Sequence, residues 1–208
     1  MTARTPALAW EEMVRGNERF VAGTPAHPRQ DVERREELLD RQAPDAALFG
    51  CSDSRLAAEI IFDKGIGDLF VVRNAGQIIS DSVVGSLEYA AGVLNVPLIV
   101  VLGHDECGAV LAAIDSQGPD PVALPPHIAR MIKAIVPAVH RVAGADVEPR
   151  TVDSSAVARE HLRDTIAELL ESSELISDAV AAGTLAVVGA NYRLHEGRVV
   201  PDVMLGLA

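Results

Sequence analysis

The run Leu98-Ile99-Val100-Val101-Leu102 is apolar throughout, with no polar residue alternating into it. A strand with one wet face alternates with period two, so a strand without alternation has to be covered on both sides. That condition is met in a parallel sheet sandwiched between helices. Ala46 to Gly50, Leu69 to Val72 and Leu185 to Gly189 read as further strands of the same kind. Between them lie helical patterns at Leu56–Phe62, Ser82–Leu94, Gly108–Asp115, Pro126–Arg141 and Ser154–Leu170. The alternation predicts an α/β fold, a mostly parallel central sheet flanked by helices, in a single domain spanning residues 1–208. Ahead of it, Thr5-Pro6 supplies a capping hydroxyl and a proline for the first helical position. The stretch Ala7–Val21, with Leu8, Val14 and Phe20 among charges, reads as an exposed or partner-packing helix. Gly23–Arg29 reads as a loop, Val32–Arg41 as a short charged helix, and Gln117–Pro126 as a surface loop.

Nearly half the residues are apolar (49%) but 3% are aromatic, so the core must be built from Ala, Val, Leu and Ile. The formal charge of −12 argues against a nucleic-acid surface, which needs clustered Lys and Arg, and against anionic membranes. Met1 to Trp10 lacks the basic flank and long apolar stretch of a secretory signal. No run reaches the ~20 apolar residues that span a bilayer. The expected location is cytoplasmic. There, two cysteines stay reduced and are too few for a disulfide scaffold.

Ligands gather at the carboxyl ends of parallel strands. Cys51 follows the Ala46–Gly50 strand, and His104 follows the Leu98–Leu102 strand with Cys107 three residues on. Two thiolates and an imidazole suit Zn²⁺, and three protein ligands leave a fourth position open, as catalytic sites do. Two buried cysteines acting as small hydrophobes, or a disulfide between them, are the other readings of the same residues. Asp53 and Arg55 follow Cys51 closely, so a carboxylate and a guanidinium able to pin it stand beside the same point. An ordinary loop salt bridge is the alternative there.

Several segments resemble the β-class carbonic anhydrases, in a plant-like subgroup. Cys51-Ser52-Asp53-Ser54-Arg55 is similar to the first zinc motif of that family, and His104-Asp105-Glu106-Cys107-Gly108 to its second. Gly16-Asn17-Glu18-Arg19-Phe20, Gly67 through Gly76, Ser86-Leu87-Glu88-Tyr89-Ala90 and Gly189-Ala190-Asn191-Tyr192 with Gly197 extend the likeness over most of the chain. The resemblance implies one Zn²⁺ per subunit held by Cys51, His104 and Cys107, and Asp53–Arg55 as the catalytic dyad. It implies substrate contacts from Gln42, Phe70 and Tyr89. It further implies a dimer, or a tetramer of paired dimers, with residues 1–30 as an arm on the partner subunit and active sites near the interface. Leu48 stands where one branch of the family, bearing an inhibitory bicarbonate site, has Trp, so that site is not expected. Gln77 stands where Asn is common.

The activity so implied is reversible hydration of carbon dioxide to bicarbonate and a proton, by way of zinc-bound hydroxide. Two thiolates neutralise the metal's charge, so its water should be less acidic than at a three-histidine site and the rate should rise with pH. Asp53 would orient the nucleophile and Arg55 hold Asp53. The Gly108 N–H, at a helix start, would join Gln42 in contacting substrate oxygen. If the Arg55 pairing broke, Asp53 could become a fourth ligand and close the site. Asp105 and Glu106 read as favourable partners of the helix dipole. His27, His127, His140, His161 and His195 read as surface residues. Rival readings are a hydrolase of carbonyl sulfide or carbon disulfide on the same fold, a thiol redox protein using Cys51 and Cys107, and a non-catalytic zinc scaffold.

Overall fold

The computed structural model describes residues 5–207, so the part of the N-terminal reading that falls on residues 1–4 lies outside the described residues. Among the described residues the strands are β1 (Ala46–Cys51), β2 (Leu69–Asn74), β3 (Leu98–His104), β4 (Ala186–Arg193) and β5 (Arg198–Leu205). They form one sheet in the order β2-β1-β3-β4-β5. The first three pairings are parallel, and β5 returns antiparallel on β4 with an irregularity at Gly189/Ala190.

The unalternating run behaves as its composition demands. Every residue of β3 is buried, and so is every residue of β1. Leu98, Val100 and Leu102 join Leu48 and Val188 in one core, and Ile99 and Val101 join Ala47, Phe49 and Val187 in another. Each such side chain contributes roughly 1.5–3 kcal/mol by leaving water, which makes this doubly covered centre the main stabilising block.

Helices α1 (Pro6–Val21), α2 (Val32–Glu37), α3 (Ala58–Ile61), α4 (Asp81–Glu88), α5 (Gly108–Asp115), α6 (Pro126–Ile132), α7 (Val136–Ala143), α8 (Ser154–Ser172) and α9 (Glu174–Ala181) surround the sheet. Thr5 caps α1 through its hydroxyl, which accepts the Leu8 N–H at 3.3 Å. Its buried face is Ala9, Trp10, Met13, Gly16 and Asn17, while Leu8 stays 41% exposed. The stripe Leu8, Val14, Phe20 is therefore not the side that packs most deeply on its own chain. A Cβ on Gly16 would lie 1.9 Å from the Phe62 carbonyl oxygen, so glycine lets α1 lie directly against the end of α3. Asn17 locks the contact: its amide donates to the Ile61 and Gly197 carbonyls (3.1 and 2.9 Å) and its oxygen accepts the Val199 N–H at 2.9 Å.

Three helical readings change at their ends. The pattern over Pro126–Arg141 divides into α6 and α7, because Pro137 cannot sit in a helix interior and instead occupies the first turn of α7. The charged segment from Val32 stays helical only to Glu37, since no residue of α2 is buried to hold a longer helix. After α4, Tyr89–Val93 continues in π geometry.

One buried carboxylate ties the segment after α1 to the body. Asp63, 3% exposed, accepts the Arg19 guanidinium at 2.6 Å and the N–H groups of Ala26 and His27 at 2.9 Å each. Burial pushes its pKa up, but the Ala26 amide, the Arg19 guanidinium and the His27 amide together hold it below the ordinary value. A depressed folded pKa gives stability that is complete above the ordinary carboxylate value of ~3.9 and lost as pH falls through the lower one. Asp63→Asn should therefore lower stability by about 2 kcal/mol at neutral pH. In denaturant titrations its deficit against wild type should shrink as the pH is taken towards ~3.

Candidate metal centre

The parallel register brings two distant segments to one edge. Gly50 pairs with Leu102 and Cys51 with Asn74, so Cys51 ends β1 level with the last residues of β3. His104 is the final residue of β3 rather than the one beyond it, and Cys107 is the N-cap of α5. One ligand atom from each of Cys51, His104 and Cys107 lies within 4.8 Å of the others, and all three side chains are buried. Both cysteines are free thiols, so the disulfide reading is not what the structure adopts.

The histidine is prepared for a ligand. Its Nδ1–H donates to the Asp105 carbonyl at 2.7 Å, which leaves the Nε2 lone pair buried with no protein partner. A buried acceptor without a partner is costly, and a metal ion is the partner that two adjacent sulfurs and an imidazole select. The donor set therefore fits Zn²⁺. The sulfurs are unequal before any metal binds. The neighbouring Cys51 sulfur and burial push the Cys107 thiol up. Cys51 is lowered, by the Cys107 thiol first and also by the Gly76 amide, against the opposing effect of burial. The Gly76 N–H lies 3.3 Å from the Cys51 sulfur.

Asp53 and Arg55 stand at the lip of the cluster. Arg55 grips the carboxylate with two nitrogens, Nε to Oδ1 at 2.9 Å and Nη2 to Oδ2 at 2.7 Å, and its backbone N–H adds a third bond at 2.9 Å. This grip holds the Asp53 carboxyl well below the usual carboxylate range against the opposing effect of desolvation. Nη2 also donates to the Glu106 carbonyl at 3.2 Å, tying the loop after β1 to the loop after β3. So held, Asp53 does not join the ligand cluster.

Arg73 was not singled out by sequence reasoning, yet it braces the same loop. Its Nε donates to the Cys51 carbonyl at 2.9 Å and its Nη2 to the Asp53 carbonyl at 2.6 Å. Its place at the end of β2, level with Gly50, was the available signal. Asp105 serves differently from the dipole reading: its carboxylate accepts the Leu194 N–H at 2.9 Å and anchors the turn between β4 and β5. His161, read as a surface residue, is 2% exposed. It shares a helical stripe with Val157, Leu162 and Ile166, and that spacing was the clue to its burial.

Gly108 opens α5 beside Cys107 and is exposed, so its N–H is one of the first-turn donors that the helix itself leaves unpaired. Gln42, Phe70 and Tyr89 lie elsewhere. Phe70 pairs with Ala47, at the amino end of β1, roughly 13 Å from Cys51 at ~3.3 Å per residue. Tyr89 packs on it with ring centroids 6.1 Å apart and remains 44% exposed. Gln42 precedes β1 and is exposed. Within one chain these three residues occupy the opposite end of the sheet from the metal ligands.

With this geometry in place, comparison with known proteins is informative. The family model described as "Carbonic anhydrase" matches residues 46–199. Carbonic anhydrase 2 of Mycobacterium tuberculosis is 48% identical over 203 residues, covering 96% of this chain and 94% of that protein. The carbonic anhydrase of Mycolicibacterium smegmatis is 46% identical over 200 residues, with the same coverage of each chain. Among solved structures, a tetrameric β-carbonic anhydrase from Sordaria macrospora superposes with TM-score 0.70 at 25% identity, covering 92% of this chain and 95% of that one.

Proposed function

This chain belongs to the carbonic anhydrase family, in its β class, and we propose that Asp53 and Arg55 run its chemistry at a site that a second subunit completes. The reaction is the reversible hydration of carbon dioxide to bicarbonate and a proton, and the cofactor is zinc, for which Cys51, His104 and Cys107 are the matching ligands. When bound, zinc supplies the Lewis acidity that lowers the pKa of water, by less beside two thiolates than beside three imidazoles.

The observation that carries the proposal for the dyad is the double grip of Arg55 on Asp53 beside the ligand cluster. An ionised carboxylate can only accept hydrogen bonds, so Asp53 would accept one from the attacking oxygen and leave a lone pair of that oxygen facing the carbon of the substrate. Arg55 fixes the direction of the carboxylate, and Arg73 fixes the backbone from which it projects. Gly108, exposed at the start of α5, would donate its N–H to the oxygen on which negative charge grows. A closed state with Asp53 as fourth ligand requires the Arg55 bonds to break first.

Support for a second subunit comes from the separation of the two ends of the sheet. Gln42, Phe70 and Tyr89 reach a metal centre only if they belong to the site of a neighbouring copy. The edge strand β2, with half-buried Leu69, Phe70, Val71 and Val72 and, among the described residues, no strand beyond it, is an apolar edge that calls for a cover. Self-association through this edge puts the apolar aromatic pair beside an uncharged gas. The Sordaria macrospora relative is tetrameric, which supports pairing of such dimers here. Of the N-terminal arm, residues 5–30 would contact the partner through the side of α1 that bears Leu8. Among the described residues no helix is long and apolar enough to cross a membrane. A cytoplasmic location suits the free thiols, which a reducing compartment keeps available to metal.

Asp53→Ala should retain zinc by elemental analysis while its carbon dioxide hydration rate falls about 100-fold or more in stopped flow. Loss of zinc together with rate would contradict an orienting role. Hybrid oligomers test the shared site. Asp53→Ala chains co-assembled with Gln42→Ala/Tyr89→Ala chains should recover activity that neither has alone, because one site of each hybrid pair is then intact. Absence of recovery in verified hybrids would place the trio in the service of its own chain.

A further inference from the structure

We propose that His161 is a positioning residue for the Cys51 thiolate, acting through the Gly76 amide. The proposal rests on Cys51 being a zinc ligand and adds a residue from the far side of the sheet to the machinery that holds the metal.

The chain of contacts is continuous and buried. His161 Nε2–H donates to the Gly76 carbonyl at 2.7 Å, and the Gly76 N–H donates to the Cys51 sulfur at 3.3 Å. Thr165, one turn further along α8, places its hydroxyl 2.8 Å from the His161 carbonyl and 3.4 Å from the Gln77 carbonyl. The turn is closed from its other side by Asn74, whose amide donates to the Ile78 carbonyl at 2.6 Å and whose oxygen accepts the Ile78 N–H at 2.8 Å. Gly76 itself has φ +81°, a left-handed conformation, and a Cβ there would meet the Ala109 side chain at 2.9 Å. Glycine is needed to aim the N–H at sulfur, but glycine is also the residue least able to keep its own conformation. Something outside the turn has to fix it, and α8 does.

The chemistry of His161 agrees with this use. Burial holds its pKa below the ordinary histidine value, so the ring is neutral and has one N–H to give. That N–H goes to Gly76, while Nδ1 is buried without a protein partner. A leucine in the stripe of Val157, Leu162 and Ile166 would fill the space and leave no nitrogen stranded. What leucine cannot do is hold the carbonyl. An N–H aimed at a thiolate withdraws charge from the sulfur and restricts the directions of its lone pairs, and such outer contacts alter metal affinity by roughly 10–100-fold.

The test compares wild type with His161→Leu, His161→Gln and Thr165→Val, all as full-length protein. Zinc affinity is read by chelator competition, and the cobalt(II)-substituted proteins are read by their sulfur-to-cobalt charge-transfer band. His161→Leu is expected to bind zinc about 10–100-fold more weakly, with the band moved to lower energy because the sulfur is more electron-rich. His161→Gln, whose amide N–H can replace Nε2–H, should return both readings towards wild type. Thr165→Val should move the band in the same direction by less, and it keeps the test decisive should the leucine protein not fold. Wild-type affinity and band position in a folded His161→Leu protein, or in Thr165→Val where that protein does not fold, would overturn the proposal. Equal damage in the leucine and glutamine proteins would also overturn it, because packing would then be the cause. Failure of wild type itself to bind zinc or cobalt would be a different result, contradicting the metal reading on which the proposal rests.

Discussion

The parallel pairing of β1 with β3 is the constraint from which the site follows. Two strands that run the same way end at the same edge, so the residues closing them meet without any further device. Cys51 and His104 are such residues, and α5 turns back at that edge to add Cys107 from its cap position. The pairing is secure because β1 and β3 are interior strands, buried on both faces and hydrogen-bonded to a neighbour on each side. A metal centre assembled from separated segments inherits its precision from that pairing.

Around the ligands, two of the three, His104 and Cys51, are oriented by backbone contacts. His104 gives its second nitrogen to a carbonyl, Cys51 takes an amide from Gly76, and the Cys51 and Asp53 carbonyls are both held by Arg73. The acid that would orient the nucleophile is gripped in turn by Arg55, which reaches across to the loop bearing Cys107. Polar groups buried this way are costly unless satisfied, and here nearly every one is satisfied by something that also aims it. Among the described residues Gln77 Oε1, His161 Nδ1 and His104 Nε2 lack a partner, and of these the His104 nitrogen belongs to the ligand cluster, where the metal belongs.

Much of this was readable from the chain because burial on two faces erases alternation, and Leu98–Leu102 cannot be mistaken for a half-wet strand. The ligand set was readable for a related reason: sulfur and imidazole at strand ends are rare residues in a specific place. Where the sequence misled, tertiary packing had overruled a local pattern. The buried face of α1 is chosen by Gly16 and Asn17, residues whose value lies in close approach and hydrogen bonding rather than hydrophobicity. Strand β5, with its mixed Arg198-Val199-Val200-Pro201-Asp202 sequence, is an edge strand and carries no strong period. His161 sits amid charged neighbours and looks solvated until the helical stripe is traced. The separation of Phe70 and Tyr89 from the metal ligands lies beyond sequence altogether, since it depends on strand register.

The most direct test of this account is X-ray absorption at the zinc edge on the purified protein. Two sulfur neighbours, one imidazole nitrogen and one light oxygen or nitrogen donor around each zinc are the expected result. A protein that carries no zinc, or a shell with fewer than two sulfurs or without imidazole, would contradict the convergence of Cys51, His104 and Cys107 on one ion.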